Sequence, residues 1–205
     1  MIYFSFIKPK NACTGYKQYS HDEGIKLARH AFEREYSAKI SEADILKTEK
    51  GKPYLKNNIA SFNISHCDGL AVCAVSENQV GVDCETLRKV SSGVIRKCFS
   101  DSEAEFLSRS KIKELDYIRL WTLKESYVKY TGQGIDSSLC AFSFNLECGF
   151  ADFPCDCRFG QVIINNSFVI TVCEKSNEMA GKIIAQITDF DIDKRDILEY
   201  NVFDK

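Results

Sequence analysis

Ala60-Ser61-Phe62-Asn63-Ile64-Ser65-His66-Cys67-Asp68-Gly69-Leu70-Ala71-Val72-Cys73-Ala74-Val75-Ser76-Glu77-Asn78-Gln79-Val80-Gly81-Val82-Asp83-Cys84-Glu85 reads as three strands and two breaks. Segments 60–64, 70–76 and 80–84 are apolar and β-branched, and the breaks at 65–69 and 77–79 are polar and of hairpin length. An antiparallel meander is expected. Its third strand ends on Asp83-Cys84-Glu85, where a period of two turns both carboxylates to one face and Cys84 to the core. Taken alone, such a pair is an ordinary solvated strand end. The alternative is a divalent cation, because converging carboxylates repel and oxygen-only ligation favours Mg²⁺ or Mn²⁺ over zinc.

Downstream, Ser100-x-x-Glu103 is a capping-box pattern opening a helix through about residue 109. A second helix is expected over about 114–130, with Leu120, Leu123, Tyr127 and Tyr130 on one apolar face and Gly132 and Gly134 ending it. Glu125 and Lys129 lie one turn apart on that helix, an arrangement that is usually a solvated surface pair. Should the helix meet the strand end, Glu125 becomes a third carboxylate, and Lys124 and Lys129 become candidates for neutralising negative charge. Strands return at 142–146, 161–164, 167–173 and 182–187, with Asn165-Asn166 as a two-residue turn. Upstream, 2–7 reads as a strand. A helix over about 22–37 is capped by Ser20 or Asp22 and buries Ile25, Leu27, Ala28, Ala31, Phe32 and Tyr36. Gly51-Lys52-Pro53 reads as a turn, on which a lysine could hold a phosphate. The turn histidine His66 is expected to be accessible. The last fifteen or so residues fit a strand or a helix. The order predicts an α+β class: two similar lobes, 1–100 and 101–205, each a helix on a small antiparallel sheet, with the site at their interface.

The 205 residues are 44% hydrophobic and 27% charged, an ordinary globular balance with ample material for a core. A net charge of -2 argues against nucleic acid or an anionic membrane as the main partner. No apolar run approaches the roughly 18 residues of a membrane helix. No secretory leader pattern opens the chain, so the ten cysteines are expected to be reduced thiols in a cytoplasmic protein. Cys155-x-Cys157, near Cys148, lacks the histidine that would complete a zinc set.

Taken together, Phe62-Asn63-Ile64-Ser65-His66, Gly81-Val82-Asp83-Cys84-Glu85 and Trp121-Thr122-Leu123-Lys124-Glu125-Ser126-Tyr127-Val128-Lys129, with Gly51-Lys52-Pro53 and Gly132-x-Gly134, resemble the 4′-phosphopantetheinyl transferases. The similarity is narrower still to the surfactin-synthetase-activating type, a single chain folded as a two-lobed pseudodimer. The motifs span 51–135 in family order. The resemblance implies Mg²⁺-dependent transfer (Mn²⁺ possible) of phosphopantetheine from coenzyme A to a serine of an apo acyl or peptidyl carrier protein. Adenosine 3′,5′-bisphosphate is released, and the carriers of this class serve fatty-acid or secondary-metabolite biosynthesis. Residue by residue, it implies Asp83, Glu85 and Glu125 as metal ligands and Glu125 also as the base, directly or through water. It implies Lys129 at the pyrophosphate, and Lys52, Pro53, Ser65 and His66 as coenzyme contacts. A monomer follows from the fused design. The first fifty residues match poorly, which leaves Lys17, Arg29 and Arg34 as candidates for the 3′-phosphate. The same residues would also serve a Mg²⁺-dependent phosphodiesterase or pyrophosphatase using water as acceptor, or a non-catalytic carrier-binding adaptor.

Overall fold

The computed structural model describes residues 1–134, 139–188 and 197–200. Strand β1 (Ile2–Phe6) is buried along its whole length, and its alternate side chains enter two different cores. Ile2, Phe4 and Phe6 join one core, and Tyr3 joins the other. A strand apolar on both faces requires a layer on each side, and the rest of the chain supplies them.

In chain order follow α1 (Tyr16–Tyr36), β2 (Ile45–Lys47), β3 (Pro53–Leu55), β4 (Ser61–Cys67), β5 (Leu70–Ser76) and β6 (Val80–Thr86). Next come α2 (Ser92–Cys98), α3 (Asp101–Arg109), α4 (Lys113–Thr131), β7 (Phe144–Asn145) and β8 (Phe150–Ala151). The series ends with β9 (Cys157–Ile164), β10 (Phe168–Lys175), β11 (Ile183–Thr188) and β12 (Ile197–Tyr200). One sheet runs β12-β1-β5-β4 and a second runs β11-β9-β10-β6, while β2-β3 and β7-β8 are short hairpins. Side chains of β1, β5, β6, β9 and β10 share the core between the sheets. Helix α1 covers the outer face of the first sheet through Leu27, Ala28, Ala31 and Phe32. Helix α4 covers the outer face of the second through Ile118, Leu120 and Leu123. The α+β class is as expected, with one long helix on each sheet.

Strand β6 departs from the expected meander. It pairs antiparallel with β10, from Val80 opposite Glu174 to Thr86 opposite Phe168. Val80, Val82 and Cys84 face the inter-sheet core, so the opposite face needs its own cover, which α4 gives only in the second sheet. The C-terminal strands also differ from a simple meander, because β11 joins β9 in parallel. The residues after 188 supply β12, antiparallel to β1; the other positions of that tail lie outside the described residues, as does Ile135 at the end of the motif span.

Helix α1 starts at Tyr16, before the expected cap at Ser20 or Asp22, and its N-cap Gly15 offers no side-chain oxygen. Tertiary contact holds that first turn instead: the Tyr16 hydroxyl donates to the Cys67 carbonyl and accepts from the Gly69 N–H. The capping box at Ser100 and Glu103 forms as read. Asn165 and Asn166 both adopt the left-handed conformation (φ 49° and 48°) that a two-residue hairpin turn demands. Ser65, His66 and Cys67 extend β4, which shortens the first hairpin to Asp68-Gly69. Among the described residues no helix is long and apolar enough to cross a membrane.

Candidate active site

Asp83 and Glu85 share the face of β6 turned toward α4, as the two-residue period requires. Gly81, on the same face, lets helix and strand touch backbone to backbone: a Cβ there would lie 2.3 Å from the Ser126 carbonyl oxygen. That approach brings Lys129 onto Asp83, with Nζ 2.7 Å from Oδ1. Ser65 completes the triangle, accepting from Lys129 at 2.9 Å and donating to the same Asp83 oxygen at 2.9 Å. The far edge of β6 is satisfied by side chains of β4 rather than by a ladder. Asn63 Oδ1 accepts from the Val82 N–H and Ser65 Oγ from the Cys84 N–H. Sequence reasoning missed Asn63 as a fastener. Its signal was the spacing Asn63-x-Ser65, the same period of two as Asp83-x-Glu85.

Asp83 is 6% exposed, and its Oδ2 is the single buried side-chain polar atom among the described residues that lacks a partner. An orphaned carboxylate oxygen in such a place has an unmet need for positive charge. Burial first, and the Asp83 charge second, raise the carboxyls of both Glu85 and Glu125, so the three acids feel one another. Burial works to lower the Lys129 ammonium, but the Asp83 charge and hydrogen bond prevail and raise it. The donor set, all oxygen with one buried acceptor open, fits a hard divalent cation. The three acids are nonetheless not drawn together: among the described residues no three His, Cys, Asp or Glu side chains are gathered to hold a metal ion. Glu85 is instead engaged by Arg88, with Nη1 2.7 Å from Oε2.

Beside these acids lies a cleft of about 250 Å³, lined by Lys52, Pro53, Asn63, Glu125 and Lys129 among others. A second cavity of about 340 Å³ shares Gly51, Pro53 and Ile64 with it and extends to His21 and His66. A third contains Lys10, Lys17, His21 and His66, so a groove runs from the acids to a basic end. The His66 ring is lowered by burial, then by Lys129 and His21. Lys17 lies in this groove, whereas Arg29 and Arg34 occupy exposed positions farther along α1.

Lys52 borders the cleft but spends its ammonium on the end of α4, donating to the Tyr130 carbonyl at 2.7 Å. Burial brings that ammonium down to about 8. The unfolded value is near 10.4, so between roughly pH 8 and 10.4 the unfolded chain binds the extra proton and stability rises with pH. Thiols oppose this trend. Cys73, pushed up to about 12 by burial, keeps its proton when folded and costs stability as pH climbs. The Lys52 effect is therefore a difference. Urea unfolding at about pH 7 and pH 10 should show the stability gap between wild type and Lys52→Met moving in favour of wild type. A gap independent of pH would show that Lys52 titrates normally.

Lys124 does not face Glu125's cleft. Its Nζ lies 2.8 Å from Glu103 Oε2, with the two side chains 0% and 1% exposed. It also donates to the Leu139 and Phe142 carbonyls and sits over the Phe99 and Phe142 rings. One position along a helix is about a hundred degrees of rotation, enough to send neighbouring residues to opposite sides. Lys124 is thus a core residue tying α3 to α4, and Lys129 alone of the two lysines stands among the acids.

A model of the 4′-phosphopantetheinyl transferase superfamily matches residues 79–173. The chain is similar to the 4′-phosphopantetheinyl transferase Sfp of Bacillus subtilis strain 168, 31% identical over 157 residues, 71% of this chain and 69% of that protein. It is likewise similar to the 4′-phosphopantetheinyl transferase psf-1 of Bacillus pumilus, 30% identical over 171 residues, 78% of this chain and 72% of that one. The human L-aminoadipate-semialdehyde dehydrogenase-phosphopantetheinyl transferase is 32% identical over 133 residues, 57% of this chain and 41% of its own length.

Proposed function

This chain belongs to the 4′-phosphopantetheinyl transferase superfamily, and on that premise we propose that it moves phosphopantetheine from coenzyme A to a carrier-protein serine. The acceptor is an apo acyl or peptidyl carrier protein, and the leaving group is adenosine 3′,5′-bisphosphate. The observation that carries this reading is the orphaned Asp83 Oδ2 on β6, paired through its other oxygen with Lys129, which together with Glu125 lines the adjoining cleft.

In the reaction the serine oxygen bonds to the β-phosphorus of coenzyme A, and the bond from that phosphorus to the bridging oxygen breaks. Electrons of that bond leave with adenosine 3′,5′-bisphosphate. Glu125 takes the serine proton, directly or through one water; its raised affinity for protons, from burial and then Asp83, suits it to the task. Lys129 presents positive charge to the pyrophosphate as charge builds on the leaving phosphate. Asp83, Glu85 and Glu125 would hold Mg²⁺, or Mn²⁺ in its place, which when bound neutralises the pyrophosphate. Pro53 walls the groove, and Ser65 fixes the Lys129 ammonium. His66 and Lys17, at the basic end, are the proposed partners of the 3′-phosphate. One chain supplies all of these side chains, so a monomer is the proposed working unit.

Purified protein with Mg²⁺, coenzyme A and an apo carrier should give a carrier heavier by one phosphopantetheine group in a mass spectrum. Coenzyme A breakdown with no gain by any carrier would overturn transfer in favour of hydrolysis. Lys129→Ala in the same assay is expected to lower kcat by about a hundredfold while KM for coenzyme A moves by less than about threefold. A change confined to KM would assign Lys129 to ground-state binding.

A further inference from the structure

Glu85 has a competitor for its oxygens within its own chain. The Arg88 guanidinium reaches both, Nη1 at 2.7 Å from Oε2 and Nη2 at 3.3 Å from Oε1. A planar fork matched to a carboxylate in this way is the strongest form of such a pair. Arg88 also lies close enough to the Tyr117 hydroxyl of α4 to feel its charge. Its side chain is nevertheless 48% exposed, so it has solvent to swing into. Close by, Asp83 Oδ2 is buried and unpartnered, and the three acids are not gathered. The Arg88 fork accounts for the second of these by keeping both Glu85 oxygens engaged.

We propose that Arg88 is a displaceable latch on Glu85, competing with a divalent cation for that carboxylate and releasing it when the cation binds. The inference rests on the reading of Asp83, Glu85 and Glu125 as the metal-holding set. Charge balance gives it a direction. Three carboxylates against Lys129 and Arg88 leave one negative charge over. A divalent ion reverses that excess if both cations stay, and the departure of one restores neutrality. Lys129 is tied to both Asp83 and Ser65 and is 28% exposed at its side chain, against 48% for Arg88, so Arg88 is the cation free to leave. Burial penalises uncompensated charge, which favours the exchange over an excess of positive charge.

Mn²⁺ alone, with neither coenzyme nor carrier, tests this through the electron paramagnetic resonance signal of free Mn²⁺. Arg88→Gln should bind Mn²⁺ about three- to fivefold more tightly than wild type, the scale of a partly exposed ion pair. Damage to the fold weakens binding, so tightening is a result that structural loss does not mimic. In wild type, Mg²⁺ should also shift the Arg88 Nε resonance in a ¹⁵N spectrum. Equal or weaker Mn²⁺ binding by Arg88→Gln, with Asp83→Asn abolishing it, overturns the latch and leaves the metal set standing. Wild-type Mn²⁺ affinity in Asp83→Asn overturns the metal set itself, and the latch with it.

Discussion

Asp83→Asn is expected to reduce phosphopantetheine transfer by at least about a thousandfold while the protein remains folded. The substitution is nearly isosteric, so packing against α4 survives. What changes is charge and donor pattern. Oδ1 accepts from both Lys129 and Ser65, while Oδ2 is buried and open. If the amide keeps its oxygen toward Lys129, its NH₂ occupies the open position, where it repels a cation. If it flips, the NH₂ faces an ammonium. Either way Lys129 loses its counter-charge; as Lys129 is partly exposed, the stability cost should be about 1–2 kcal/mol rather than the larger penalty of a fully buried break. Carrier loading followed by mass spectrometry, beside a urea curve, separates the two effects. Wild-type turnover in a folded Asp83→Asn protein would remove Asp83 from the reaction.

The parts of this site that were legible in the sequence are those governed by short-range periodicity. A spacing of two put Asp83 and Glu85 on one face, and a spacing of four stacked Glu125 and Lys129. Ser100 with Glu103 marked the start of α3, and Gly132, left-handed at φ 69°, the end of α4. Long-range facts left no such mark. The helical period sets Lys124 beside Leu120 and Tyr127, but the partner that buries it, Glu103, belongs to another helix. The transfer of β6 to the second sheet depends on β10, far along the chain. Tyr16 belongs to α1 because of a hydrogen bond to the β4–β5 turn, which capping rules do not register. Lys52 stood on a recognisable turn, yet its ammonium serves a helix end that only the folded chain brings near.

Gly81→Ala should damage both stability and transfer, with no change in any group that meets the substrate. An added Cβ would lie 2.3 Å from the Ser126 carbonyl oxygen, 2.3 Å from the Tyr130 nitrogen and 2.8 Å from the Tyr130 Cα. All three are backbone atoms of α4, so no side chain can rotate aside. The helix must retreat from β6, and overpacking of this kind costs about 1–3 kcal/mol, sometimes more. Retreat also carries Glu125 and Lys129 away from Asp83, and a misplacement of about 1 Å can cost about a hundredfold in rate. Gly24→Ala is the matched control. Its Cβ would lie 2.5 Å from Ile64 Cγ2, a side-chain rather than a backbone atom, so strand and helix need not part, and alanine favours the interior of α1. Urea unfolding and carrier loading on the two variants should place Gly81→Ala well below Gly24→Ala on both measures. If Gly81→Ala matched wild type in both, direct helix–strand contact would not be what sets the Asp83–Lys129 geometry.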